Sequence, residues 1–270
     1  ELEIRIYTRS NESSDYVFAD IGEDNFQSQL TEADRQFIEW RGSGAKVATK
    51  HEIANLTIER GLRDIYILQQ ETPRGPGLAA GVPWYCAVFG RDSAIAALQV
   101  MPFYPQLARQ CLEVLAAYQG TKTDEFRAER AGKIMHELRL GELARLNTIP
   151  HTPYYGTIDA TALWAIALER YLQWTGYLQF ADKLWPQVQL ALTWLDSSSD
   201  GYLSYKRESP QGLENQGWKD SGDSVCHLDG SLAVPPIALC EAQGYLYAAR
   251  IAIASIASRL GNSEIAANLR

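Results

Sequence analysis

Apolar residues recur at helical spacing in one segment after another of this chain, and that repetition restricts the fold more than any other feature. Between 104 and 118, Leu107, Cys111, Leu115 and Tyr118 lie three or four residues apart, the spacing that lines one face of an α-helix. From 178 to 195 the same period runs through Ala181, Leu184, Trp185, Val188, Leu192 and Leu195. A longer stretch, about 47 to 68, carries Ile53, Leu56, Ile58, Leu62 and Ile65. Further helices are predicted over 92–100, 161–174 and about 237–260. Thr175-Gly176 closes the second of these and Gly261-Asn262 the third, glycine being a good helix terminator. About seven helical stretches predict a mainly all-α fold built from helix pairs. Periodicity alone leaves a toroid and a solenoid both open.

The first 46 residues read differently. After a strand-like start, Leu2 to Tyr7, residues 1–31 are polar and irregular. We read 1–46 as the tail of a β-rich domain plus linker, and 47–270 as the helical domain. The chain does not start with Met, and its last residues, Ile265 to Arg270, fall inside a helical stretch. A piece of a longer polypeptide is therefore expected. No apolar run reaches the ~18 residues of a membrane helix. With 25 Lys and Arg against 33 Asp and Glu, the net charge is −8. That argues against nucleic acid or an anionic membrane as partner and suits a neutral ligand. Cys86, Cys111, Cys226 and Cys240 form no CxxC pair and read as small buried hydrophobes of a reducing compartment. His136-Glu137 lacks the second His of a zinc-protease helix, so no metal site is expected.

The loops at 71–90, 119–135, 147–158 and 200–234 are long for a compact domain, which points to function. In these loops or within a few residues of their ends stand Trp84, Phe89, Arg91 and Asp92; then His136, Glu137 and Arg139; then Tyr155 and Asp159; then Gln216, Trp218, Lys219, Asp220 and Asp223. Aromatic faces pack on the C–H patches of pyranose rings, while carboxylates, amides and Arg hydrogen-bond hydroxyls. A sugar fits this mixture. Plainer readings stand beside it. Arg91-Asp92 would serve equally as a helix-start ion pair, and His136 as a structural, hydrogen-bonded side chain. Trp164, Trp174, Trp185 and Trp194 lie at helical spacing and read as core. Trp84 and Trp218, in glycine- and proline-rich loops, are the stacking candidates. Asp196 and Asp200 read as cap and turn residues.

Five segments carry a resemblance: AGVPWYCAVFGRDS at 80–93, GKIMHELRLGEL at 132–143, PYYGTIDATALW at 153–164, SPQGLENQGWKDSGDS at 209–224 and PIALCEAQGYLYAA at 236–249. In this order they resemble the amylo-alpha-1,6-glucosidase, or glycogen-debranching-enzyme, family, in particular bacterial members with an N-terminal β-domain. The resemblance implies an (α/α)6 toroid, incomplete in this chain, and inverting hydrolysis of α-glucosidic bonds, α-1,6 above all. It maps the general acid onto Asp220 within Gly217-Trp218-Lys219-Asp220-Ser221. It maps the subsite for the terminal glucose onto Phe89, Arg91 and Asp92. His136, Glu137, Arg139, Tyr155 and Asp159 would line the pocket, Gln216, Trp218 and Lys219 would position the acid, and Asp223 would be a nearby second carboxylate. The family's general base is a Glu late in the domain, and Glu241 does not match it. These residues alone are therefore expected to lack the base and to turn over little. The resemblance implies no cofactor, an α-glucan or oligosaccharide substrate and a cytoplasmic location. Helix faces left open by an incomplete toroid would favour self-association. The alternative is a non-catalytic carbohydrate-binding module that keeps the sugar pocket.

Overall fold

The computed structural model describes residues 26–197 and 201–269. The strand-like start at 2–7 and Asp200 lie outside the described residues. The chain divides into two compact units between Gly42 and Ser43. In the first, the described residues form one helix, α1 (Phe26–Gly42). This corrects the irregular reading of 26–31 and the linker reading of the residues after it. Arg35 lies three and four residues from two glutamates and donates to Glu32 at 2.7 Å and to Glu39 at 3.0 Å. Such ladders favour helix where no apolar face announces it.

The second unit begins its helices with α2 (Glu52–Ile67). The helix starts later than its apolar pattern suggests because local side chains hold residues 49–51 out of it. Asn55 donates to the Thr49 carbonyl at 2.9 Å, and the His51 ring accepts from the Ala54 N–H. Three antiparallel strands follow, β1 (Gln69–Thr72), β2 (Gly75–Gly81) and β3 (Tyr85–Phe89). They occupy most of what the sequence reads as a loop at 71–90. The central strand, Gly-Pro-Gly-Leu-Ala-Ala-Gly, lacks the β-branched alternation that marks a strand. Its small residues serve close approach instead: a Cβ at Gly77 would fall 2.9 Å from the Val88 side chain.

From β3 the chain enters α3 (Gly90–Val100) and then α4 (Pro105–Ala117), whose Leu107, Cys111, Leu112 and Leu115 are buried as the periodicity predicts. The two-residue strand β4 (Glu137–Leu138) closes the sheet in the order β1-β2-β3-β4, and the short α5 (Glu142–Arg145) follows. Next is α6 (Ala160–Thr175), ended by Gly176 in the left-handed region at φ 67°, a conformation glycine adopts without strain. The predicted helix at 178–195 is two helices, α7 (Leu178–Lys183) and α8 (Trp185–Leu195). Pro186 has no N–H to donate, and its ring crowds the carbonyl four residues back. The last two helices are α9 (Cys240–Arg259) and α10 (Ser263–Asn268). Ile237 is not helical. It pairs with Tyr205 through two backbone hydrogen bonds, at 3.0 and 2.9 Å, which is all the bridging found in the strand suspected at 201–205.

The fold is mainly helical, as predicted. Helices α3, α6 and α9 pack side by side in chain order, with α4 against α3 and α6, α8 against α6 and α9, and α10 against α9. Helix α6 is the centre of the core. Trp164 is fully buried there and donates its indole N–H to the Leu112 carbonyl at 3.1 Å. Truncating a buried Trp to Ala costs about 3–5 kcal/mol, so this one ring pins α6 to α4. Three of the four tryptophans and three of the four cysteines read as core need correction. Trp174, in the last turn of α6, is exposed, and Trp185 and Trp194 are half-buried. Of the cysteines Cys111 alone is buried; Cys86 on β3, Cys226 in a loop and Cys240 at the first residue of α9 are exposed.

Candidate active site

The site is built where the loops enter α3 and α6. Phe89 ends β3 and Gly90 opens α3, with the Gly90 N–H donating to the His136 carbonyl at 2.9 Å. Only glycine fits there, because a Cβ would lie 2.0 Å from the Met135 carbonyl oxygen and 3.0 Å from the Ala160 Cβ. That contact brings residues 134–138 and the head of α6 against the start of α3. Arg91, the next residue, therefore reaches across toward Asp159, at the head of α6. The two side chains are almost wholly buried, and Arg91 Nη1 donates to Asp159 Oδ2 at 2.9 Å. Nη1 also donates to the Gly217 carbonyl at 2.9 Å, while Nη2 lies 3.5 Å from Asp220 Oδ2. The Trp218 ring covers the guanidinium, with its centroid 5.5 Å from Cζ, in cation–π range.

Asp220 is the exposed member of this cluster, its side chain 44% accessible. Its loop is held from beneath. The Ile158 N–H donates to the Gln216 carbonyl at 2.8 Å, and the Gln216 amide donates to the Lys206 carbonyl at 3.2 Å. Asn215 donates to the Ser221 carbonyl at 2.7 Å and accepts from the Tyr205 hydroxyl at 2.9 Å. Trp218 is 62% exposed, with one edge in a cleft of about 190 Å³ whose lining includes Asp92, Leu68, Leu78, Ala80 and Ile95. Burial beside these apolar residues pushes the Asp92 carboxyl above its ordinary range, more than the adjacent Arg91 pulls it down. Asp159 and Asp220 add to the rise.

A second cluster lies on the β4 side. His136 is buried edge-on between Phe89 and Tyr154, at 5.3 and 6.0 Å between ring centroids. Burial, reinforced by the charge of Arg91, pushes its imidazole down to about 3, so it is neutral. Glu137 is buried, accepts from Arg139 Nε and lies 3.6 Å from His151 Nε2. Burial raises its carboxyl and Arg139 opposes that rise. Asp220 contributes a further upward push, so the two clusters sense each other.

Several residues are placed differently from the sequence-based expectation. Tyr155 is buried and donates its hydroxyl to the Tyr118 carbonyl at 2.8 Å, so that group faces the core rather than a sugar. Arg91 and Asp159 spend their polar atoms on each other and on the Asp220 loop. Trp84 stands in the β2–β3 turn and is 80% exposed. Lys219 and Asp223 are exposed, and Asn215 rather than either of them braces the Asp220 loop. Thr157 and Asn215 were missed as functional candidates. Thr157 stands two residues before Asp159 and donates to its Oδ1 at 2.7 Å, a local side-chain pairing that the spacing alone could have flagged. Among the described residues no group of three or more His, Cys, Asp or Glu is placed to hold a metal ion. Nor is any described helix long and apolar enough to cross a membrane.

The heads of α3 and α6 thus carry Asp92 and Asp159, with Asp220 and Trp218 held against Arg91 between them. The amylo-alpha-1,6-glucosidase family model matches residues 62–203, just over half of the 270 residues, and the chain belongs to that family. No curated protein matches it. The matched span carries Arg91, Asp92, His136, Glu137, Arg139 and Asp159; Asp220 and its loop lie C-terminal to it.

Proposed function

We propose that this chain supplies the general acid and the terminal-glucose pocket of an inverting α-glucosidase acting on α-1,6 branch linkages of glycogen-like glucans. The observation that carries this reading is the half-exposed Asp220 carboxyl, 3.5 Å from the Arg91 guanidinium that Trp218 also covers, while Trp218 and Asp92 line one cleft. A glucose ring lying on Trp218 would present its C–H face to the indole and its hydroxyls to Asp92. Asp220 would then protonate the glycosidic oxygen as the bond breaks. Inversion needs a second carboxylate about 6.5–9.5 Å from the acid, with room for a water between. Asp159 and Glu137 are buried against arginines and do not suit that role. A Glu from a later segment, as in the relatives, would activate the water, and the 270 residues alone would turn over little.

Proton NMR of a branched dextrin tests this. A longer polypeptide containing the chain is expected to release glucose first as the β-anomer, and the chain alone to release almost none. Release of the α-anomer would overturn inversion. Saturable dextrin binding without turnover in either protein would favour the binding-module alternative.

We also propose that the chain associates with itself. Helix α9 leaves a stripe open along Gly244, Tyr247 and Ile251, with Tyr247 70% exposed, and α2 leaves Ile53, Leu56 and Ile67 uncovered. Apolar stripes of this kind usually find a mate. Light scattering is expected to give twice the monomer mass, reduced to the monomer by Tyr247→Asp. A monomer at every concentration would overturn the proposal.

A further inference from the structure

Arg91 is the one cation among the described residues that touches both a buried carboxylate and the proposed acid, and its geometry assigns it a job other than gripping sugar. Arg91 is 7% exposed, and both Nη1 bonds are used, one on Asp159 Oδ2 and one on the Gly217 carbonyl, each at 2.9 Å. A guanidinium is planar and its donors leave in fixed directions. Fixing Nη1 therefore fixes where Nη2 points, which is toward Asp220 at 3.5 Å. Asp159 is fixed in turn. It is 2% exposed, and its other oxygen, Oδ1, accepts from the Thr157 hydroxyl at 2.7 Å. Thr157 is itself buried, in the segment whose next residue, Ile158, donates to the Gln216 carbonyl of the acid loop.

We infer that Thr157, Asp159 and Arg91 form a strut, running from the head of α6 through the head of α3 to the 215–222 loop, that sets the position of the Asp220 carboxyl. Thr157 and Asp159 are then positioning residues that act through Arg91, and recognition of glucose hydroxyls falls to Asp92, which faces the cleft. The inference rests on Asp220 being the general acid. It also separates the adjacent Arg91 and Asp92 into different roles. The first points inward to the loop and the second outward to the substrate cleft.

Thr157→Val tests it, since valine keeps the shape and removes the donor. In the full chain the readout is the side-chain ¹H–¹⁵N signals of Arg91, assigned by their loss in Arg91→Lys. Slowly rotating, separately resolved Nη protons are expected in the native chain, broadened in Thr157→Val and restored in Thr157→Ser. In a longer polypeptide that turns over, Thr157→Val is expected to lower kcat about ten- to a hundredfold, the range a small misplacement of a reacting group produces. KM should change less than about twofold, because interactions made only in the transition state are what is lost. Unaltered Arg91 signals together with unaltered kcat would overturn the strut. So would a raised KM at constant kcat, which would return Arg91 and Asp159 to sugar binding. If Thr157→Val does not fold, Asp159→Asn, which keeps the shape and weakens the pair, is read by the same two measurements. Full turnover in Asp220→Asn would sink the acid assignment instead, while leaving the Arg91 signals to report on the strut by themselves.

Discussion

Asp220→Asn is expected to reduce turnover of a branched dextrin by about 100- to 10,000-fold, the share of catalysis that a positioned general acid supplies. The measurement belongs in a polypeptide that carries both catalytic carboxylates. The amide has the size of the carboxyl and no acidic proton, so the loss would fall on kcat. Dextrin affinity should stay within about twofold, because the Trp218 face and Asp92 are untouched. Stability should scarcely move. The Asp220 side chain is 44% exposed and its contact with Arg91 is long, at 3.5 Å. Ion pairs of that kind contribute about 0–1 kcal/mol. The loop itself stays anchored through Gln216, Gly217 and Asn215. A leaving group that needs no protonation sharpens the test. With α-glucosyl fluoride the variant should recover most of the native rate, since fluoride departs without an acid. A variant equally slow on both substrates would point to a collapsed site, and one equally fast on both would remove Asp220 from the mechanism.

The sequence carried the helical skeleton because helices announce themselves locally. The stretch at 161–174 is apolar, lacks glycine and proline and ends on Gly176, and α6 follows that description to within a residue at each end. Where the sequence misled, the deciding contacts came from elsewhere in the chain. Strand β2 has no strand-like residues, and what makes it a strand is the company of β1, β3 and the α4 side chains over Gly77. Helix α2 has an apolar stripe whose first half, Ile53 and Leu56, finds no cover among the described residues, while Leu62 does. Periodicity records which residues share a face. It does not record whether anything packs on that face.

The site divides along the same line. Which loops matter was legible from their aromatics and carboxylates, and the family match over 62–203 agrees with the resemblance those loops carry. The direction in which each side chain faces was not legible. Tyr155 and Arg91 look like ligand-binding residues in a string of letters. Their polar atoms are instead claimed by the Tyr118 carbonyl in one case, and by Asp159 and Gly217 in the other. These are partners tens of residues away, joined by the packing of α3 on α6. Asp92 and Trp218, 126 positions apart, meet at one cleft for the same reason.

That packing also sets how the fold responds to acid, and the effect should be large. His136 is held neutral. Burial is the main cause, and Arg91, His151, Lys133 and Arg139 all add positive potential that opposes its protonation. Its imidazole is pushed down to about 3, against 6.5 when exposed. As pH falls through 6.5 the unfolded chain takes up a proton at this residue and the folded chain does not. The unfolded state then binds more protons, so stability falls with pH, by about 1.4 kcal/mol per unit for one group, until the folded imidazole also titrates near 3. Lys133 works in another window. Burial lowers its amine from 10.5 to about 8, so between those values the unfolded state again holds the extra proton and stability rises with pH. Asp92 and Glu137 oppose His136 in acid, because their raised carboxyls take up protons in the folded state first. Urea unfolding between pH 7 and 5, above most of the carboxylate range, should therefore show the His136 slope most clearly. His136→Leu is expected to start less stable at pH 7, having lost the ring contacts with Phe89 and Tyr154, and to lose less on acidification than the native chain. An identical slope in both proteins would mean that the imidazole takes up its proton over the same pH range in the folded and unfolded chain, so that the site does not hold it neutral.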